Sequence, residues 1–148
     1  MKILVGGDCI ELASSFPVHV VVGAGDSLRG ISDRYFVNHG YTGFTVEAGQ
    51  HDSLESLESQ EATIWAALHR IGCIDSQFRH SEERLARTQL DGGTIFEIRH
   101  AHPLEQGTKF RMQPGYYNFR RVLEDELLAY EDGREVRAPI PGRIFMPL

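Results

Sequence analysis

The chain has 148 residues, of which 41% are hydrophobic and 24% are charged. This length and composition fit one globular domain or two small ones and exclude a disordered chain. The net charge of −6 and the pI near 5.6 argue against nucleic acid or an anionic membrane as the main partner, because both require a basic surface. Cys9 and Cys73 cannot form a disulfide framework, and no apolar run approaches the roughly 20 residues that span a bilayer. We therefore expect a reduced, cytoplasmic protein.

The first half of the chain alternates strand and helix signals. Three short apolar runs predict buried strands, namely Lys2–Val5 (closed by Gly6-Gly7), residues 18–22 and residues 41–46. Between the last two, Asp26-Ser27 offers an N-cap for a helix that ends near Asn38. Strands that alternate with helices predict a mostly parallel α/β sheet.

The clearest helix follows the third strand. Asp52 with Glu55 three residues later resembles a capping box, and Gly72 is a suitable C′ residue. Between them, large apolar residues recur at a spacing typical of a helix with one apolar face: Leu54, Leu57, Ile64, Leu68 and Ile71.

After residue 92 the pattern changes to short runs separated by Gly, Pro and Asp-Gly turns. The runs are 94–99, 109–112, 126–130, 135–137 and 143–146, with one possible helix over 122–128. They predict a small antiparallel β domain. The boundary is expected near Asp91-Gly92-Gly93, after the polar stretch 76–89, which gives an α/β domain over 1–92 and a β domain over 93–148.

Glu47 is the first candidate for chemistry. It is a lone carboxylate at the end of the third strand, followed by Ala48 and Gly49. Open α/β sheets bind ligands outside the carboxyl ends of their parallel strands, and a carboxylate there can serve as a general acid or base. The alternatives are a glutamate that accepts nearby backbone N–H groups, or one at a solvated strand end.

The segment FTVEAGQHDSLES, residues 44–56, resembles the catalytic-glutamate segment of the succinylglutamate desuccinylase/aspartoacylase family. In that family a strand ends in Glu-x-Gly and continues through a polar loop into a long helix. Residues 99–122 and 132–148 are similar to the family's β-rich C-terminal domain. The resemblance runs from roughly Phe16 to the end of the chain. It implies part of a zinc-carboxypeptidase-like three-layer sheet, followed by a barrel-sandwich-like β domain.

The same resemblance implies a zinc hydrolase, an amidohydrolase of N-acyl amino acids or related small amides or esters. The metal polarises the carbonyl and activates a water. Glu47, by its match to the family's glutamate, takes the proton of the water and returns it to the leaving amine. The residues that bind the substrate are not identified.

The family's zinc ligands have no match in this sequence. The family uses an early His-x-x-Glu and a later Asp-x-His, whereas no His-x-x-Glu precedes Glu47, and Ile10 takes the ligand position in Asp8-Cys9-Ile10. Zinc is therefore implied by resemblance alone, and we name no metal ligand. We expect the chain to be the C-terminal part of such a hydrolase, shortened at both ends. We also expect it to form a homo-oligomer through an exposed sheet edge.

Other histidines offer weaker metal sites. Two His-x-x-Glu strings, His80/Glu83 and His102/Glu105, follow Glu47, opposite to the family's order. His100 and His102 would share one face of a strand, and His51 is the histidine expected nearest to Glu47. In each case a solvated or loop histidine is the plainer interpretation.

Two non-hydrolytic functions have some sequence support, of which the first lacks the residue that it needs. Residues 136–142 resemble the turn of biotinyl and lipoyl carrier domains, but Lys2 and Lys109, the lysines of the chain, do not lie in a carrier hairpin. The alternative that we retain is a non-catalytic binding or oligomerisation module. Its surface would be aromatic and would consist of Trp65, Tyr116, Tyr117 and Phe119, although each of these residues is more often part of a core.

Overall fold

The computed structural model describes residues 1–5, 9–27, 32–75, 80–87 and 93–147. The chain divides into two compact units, Met1–Arg99 and His100–Leu148. No helix in these ranges is both long enough and apolar enough to cross a membrane. The described residues form both helices and strands, so the predicted α/β class is confirmed at this level.

A four-stranded sheet forms the centre of the first unit. Its strands are β1 (Lys2–Val5), β2 (His19–Val22), β3 (Phe44–Glu47) and β4 (Ile95–Glu97), in the spatial order β3-β1-β2-β4. β2 runs parallel to both β1 and β4, whereas β3 runs antiparallel to β1. The three predicted strands are confirmed, but the sheet is mixed.

Five helices accompany this sheet in the described ranges. They are α1 (Ile10–Ser14), α2 (Ala24–Ser27), α3 (Ser32–Asn38), α4 (Leu54–Arg70) and α5 (His80–Arg87). The helix predicted from Asp26-Ser27 to Asn38 corresponds to the end of α2 and to α3, and residues 28–31 lie outside the described part. The polar stretch that was predicted to precede the domain boundary contains α5.

The core of the first unit lies on one face of the sheet. Ile3 of β1 and Val20 of β2 are register partners there, and they pack with residues from α1, α4 and α5. The buried members of this cluster are Ile3, Cys9, Ala13, Phe16, Val18, Val20, Ala62, Ala66 and Leu85. Leu4 and Val21 point to the opposite face and are also buried, so the central strands are covered on both sides. Such double burial explains why their sequences are continuous apolar runs.

Helix α4 buries a different face from the one that its sequence predicts, and its N-cap is a different residue. Ser53, not Asp52, is the N-cap, and its hydroxyl accepts from the backbone N–H of Ser56 at 3.4 Å. Gly72 has φ +76° after the C-cap, as predicted. The buried residues of the helix are small: Ser59, Ala62, Thr63 and Ala66. Ala62 and Ala66 belong to the core cluster with Ile3 and Val20, and most of the large apolar residues of the helix lie outside that cluster.

The second unit is built from short antiparallel strands, as predicted. β5 (Phe110–Met112), β7 (Leu127–Glu131) and β8 (Arg134–Arg137) form one sheet, and β6 (Arg121–Val122) pairs with β9 (Gly142–Arg143). The β7–β8 hairpin turns at Asp132-Gly133, with φ of +48° and +81°. Two positive φ values characterise the turn for which Asp-Gly is favoured.

The structure differs from two expectations for this region. The run 94–99 contains β4, which pairs with β2 and so belongs to the first sheet, and the units divide after Arg99 instead of near Gly93. The possible helix over 122–128 is instead the end of β6, a turn and the start of β7. Residues 91–92 of the predicted boundary turn lie outside the described ranges.

Candidate functional site

Glu47 is the last residue of β3 and is the register partner of Lys2. Its carboxylate oxygen lies 3.1 Å from the Lys2 ammonium nitrogen, and the two side chains are 36% and 10% exposed. Val46, the preceding residue, packs against the main core. Because side chains alternate along a strand, Glu47 lies on the face of the sheet opposite that core.

Glu47 was expected beside the carboxyl ends of the parallel strands, and it lies at the opposite end of those strands. β3 is antiparallel to β1, so Glu47 is level with Lys2, where β1 begins. The carboxyl ends of the parallel strands β1, β2 and β4 are at the other edge of the sheet. The predicted position in a crevice beyond those ends is therefore wrong. An apolar strand sequence does not encode direction, and the path of the preceding connection decides it.

Thr45 is the next residue of β3 on the same face as Glu47, two positions earlier in the strand. Its hydroxyl oxygen is buried and has no hydrogen-bond partner in the described part of the chain. Buried polar atoms are nearly always paired in proteins, so an orphaned one calls for an explanation. A polar ligand atom seated beside Glu47 would provide the missing partner.

The loop after Glu47 explains the Glu-x-Gly sequence. Gly49 has φ +127°, and a Cβ at this position would lie 3.1 Å from the Ser56 hydroxyl oxygen. The same hydroxyl donates to the backbone carbonyl of Ala48 at 3.4 Å. Glycine is thus needed both for its backbone conformation and for space. The contact fixes the loop against the first turn of α4, and His51 is exposed on that loop.

The residues around Glu47 do not fit a zinc ion. The carboxylate contacts a lysine ammonium, which would repel a metal cation, and a catalytic zinc requires three protein ligands. In the described ranges, which include all seven histidines, no group of three or more His, Cys, Asp or Glu side chains lies together.

The other predicted metal pairs are engaged elsewhere or solvated. His80 Nδ1 and Glu83 are 3.8 Å apart on α5, with 95% and 63% of their side chains exposed. His102 Nε2 lies 3.1 Å from a carboxylate oxygen of Glu131 instead of pairing with Glu105. His100 and His102 lie in a segment without strand structure, so they do not share a strand face. Asp8 of the Asp8-Cys9-Ile10 segment lies outside the described residues.

The second unit contains a polar network that the sequence did not reveal. The Tyr116 hydroxyl oxygen lies 2.7 Å from a Glu126 carboxylate oxygen and 2.8 Å from the Leu127 carbonyl oxygen, so its one proton is shared between these two acceptors. The Arg120 guanidinium lies 4.2 Å from the centre of the Tyr116 ring and 3.4 Å from the Glu126 carboxylate. Desolvation raises the pKa of Tyr116, and a hydrogen bond from the backbone N–H of Leu123 lowers the pKa of Glu126. These contacts hold the turns between strands together.

The four aromatic residues of the predicted binding surface differ in their exposure to solvent. Tyr117 is exposed, whereas Trp65, Tyr116 and Phe119 are partly buried. The Trp65 ring nitrogen contacts Glu61 on the same helix at 3.4 Å. The tip of the β7–β8 hairpin is Asp132-Gly133 and carries no lysine of the kind that a carrier domain modifies.

An open cleft of the first unit lies away from Glu47. It measures about 510 Å³ and is lined in part by Ser15, Phe16, Arg70 and Glu83. The Arg70 side chain donates a hydrogen bond to the Ser15 hydroxyl, and its guanidinium lies 4.7 Å from the centre of the Phe16 ring. Arg70 thus has a structural role at this cleft.

No protein-family model, curated protein or solved structure matches this chain.

Proposed function

We propose that this chain acts in the hydrolysis of N-acyl amino acids or related small amides or esters, with Glu47 as the general acid/base. The observation that carries the proposal is the pair of polar groups on one face of β3, the half-exposed Glu47 carboxylate and the partnerless buried hydroxyl of Thr45. The family resemblance of residues 44–56 supports the same assignment. The finer fold, a partial zinc-carboxypeptidase-like sheet with a barrel-sandwich-like domain, is part of this proposal.

The proposed chemistry is a proton transfer in two stages. Glu47 takes a proton from water as the water oxygen bonds to the substrate carbonyl, and it returns that proton to the leaving nitrogen or oxygen as the bond from the carbonyl carbon breaks. Lys2 keeps the carboxylate in place through its ion pair and is a positioning residue. The described residues do not fit zinc, so the metal dependence rests on the family resemblance alone, and no step is written through a metal.

The test is a hydrolysis assay of the full chain on a panel of N-acyl amino acids in buffers with and without added zinc. We expect Glu47→Gln to lower kcat by about 100-fold or more, as for the loss of a general base. Thr45→Val should mainly raise KM. Glu105→Gln, an exposed glutamate in the second unit, is the matched control and should leave turnover unchanged. The absence of turnover at every zinc concentration, or full activity of Glu47→Gln, would overturn the proposal.

The second candidate is a non-catalytic module that oligomerises through a sheet edge. It is favoured by the strand order, which leaves β3 and β4 as the edge strands of the described sheet, and by Ile95, which is exposed on β4. Exposed edge strands are ready to pair with another chain. If this candidate is correct, Ile95→Lys will dissociate the oligomer, and no N-acyl substrate will be hydrolysed.

A further inference from the structure

Three titratable side chains form a row across neighbouring strands, on the face of the first sheet that carries Glu47. Lys2 of β1 is the register partner of Glu47 on β3 and also of His19 on β2. Each of the three is next to a residue of the main core in its own strand. Because side chains alternate along a strand, all three lie on the face opposite that core. Lys2 is buried and lies between a carboxylate and an imidazole, which are both partly exposed.

A hydrogen bond fixes the protonation state of His19. The backbone N–H of Thr94, just before β4, donates to the Nδ1 atom of the imidazole at 3.4 Å. The acceptor must offer a lone pair, so Nδ1 carries no proton and the neutral ring has its proton on Nε2. The Phe96 ring of β4 packs edge-on against the imidazole, with 5.2 Å between the ring centres. The imidazole is thus held from the β4 side in its neutral form.

A neutral His19 leaves the charge of Lys2 to Glu47. Among the described residues that face His19, Lys2 on β1 is charged, whereas Thr94 and Phe96 on the β4 side are not. The Lys2 ammonium nitrogen lies 3.1 Å from a carboxylate oxygen of Glu47. Neighbouring strands are about 4.8 Å apart. A proton on His19 would therefore place a second cation one strand away from Lys2 and two strands away from Glu47.

We propose that His19 is a positioning residue of the Glu47 site and that its protonation switches the site off. This inference rests on the proposed hydrolysis. A protonated Nδ1 cannot accept the Thr94 N–H, and the new positive charge repels the Lys2 ammonium toward Glu47. A carboxylate close to more positive charge is a weaker base, so Glu47 takes the proton of the water less readily. Activity falls as the pH falls through the range in which histidines gain a proton, about pH 8 to 5.

The pH dependence of kcat/KM for an N-acyl amino acid, measured on the full chain, tests the switch. The wild-type chain should lose activity by about tenfold per pH unit on the acid side, as expected for one proton. His19→Asn should hydrolyse the substrate at pH 8 and show no decline down to about pH 5.5. The asparagine Oδ1 atom can replace Nδ1 as the acceptor of the Thr94 N–H, but it does not gain a proton in this range. His19→Leu, which lacks that acceptor, should be less active at every pH.

His80→Asn is the matched control and should keep the wild-type decline, because the His80 side chain is 95% exposed. Circular dichroism at each pH should show that the chain stays folded, and unfolding that parallels the decline would overturn the inference. The imidazole nitrogen chemical shifts at pH 8 should show the proton of His19 on Nε2. A proton on Nδ1, or a decline that survives in His19→Asn, would overturn this inference alone. No turnover by any variant at any pH would overturn the proposed function and this inference with it.

Discussion

Replacing Thr45 by valine should stabilise the first unit. Valine has nearly the same shape as threonine but lacks the hydroxyl that is buried without a partner. An unpaired buried hydroxyl costs roughly 1–3 kcal/mol in proteins. Thr45 is itself only partly buried as a residue, which places the gain at the lower end. We expect the free energy of unfolding to rise by about 1 kcal/mol.

Thr63→Val is the matched control, with the opposite expected sign. The Thr63 hydroxyl is buried and donates to the carbonyl of Ser59 at 2.8 Å, so its loss should cost roughly 0.5–1.5 kcal/mol. Urea unfolding followed by the fluorescence of Trp65, the one tryptophan of the chain, reports on the first unit separately. A loss of stability in Thr45→Val comparable to that in Thr63→Val would refute the reasoning, because it would mean that the Thr45 hydroxyl is paired.

Three further changes test the packing, the polar network and the loop. Leu85→Ala should destabilise the first unit by about 2–5 kcal/mol in the same fluorescence assay, because Leu85 is fully buried, whereas Leu123→Ala at a 73% exposed site should change little. The pKa of Glu126 is lowered in the folded chain, so its contribution is present above its ordinary value of 4.5 and is lost as the pH falls below it. Glu126→Gln should therefore reduce the acid-induced loss of stability of the second unit, measured by circular dichroism. An unchanged acid profile would contradict this assignment. Gly49→Ala should cost about 1–3 kcal/mol because φ is positive there, whereas Gly142→Ala, where nothing lies within 4 Å, should be close to neutral.

The local features of this fold could be predicted from sequence because each depends on a few adjacent residues. The strands of the first unit are β-branched apolar runs, and the Asp132-Gly133 turn follows from the need for positive φ at both positions. Gly72 ends α4 for a similar reason. Signals of this kind act within a few residues and do not require knowledge of the rest of the chain.

Features that depend on the path of the chain could not be predicted in the same way. Glu47 lies at the carboxyl end of β3, as predicted. That end is not beside the carboxyl ends of the parallel strands, because β3 runs antiparallel to β1. The sequence does not reveal this, since an antiparallel β3 has the same composition as a parallel one. The apolar row of α4 is typical of a core-facing helix, yet the face that contributes to the core is the one with Ala62 and Ala66. The orphaned hydroxyl of Thr45 likewise depends on its surroundings, which the sequence does not specify.

The most direct test of the proposed site is a chemical-shift map of an N-acyl amino acid titrated into the Glu47→Gln chain, which should bind the ligand without consuming it. The account predicts that the largest backbone amide shifts occur around Thr45, residue 47 and Gly49, and that Thr45→Val reduces them. Shifts confined to the second unit, or no saturable shifts at all, would contradict the assignment of this face of β3 as the functional site.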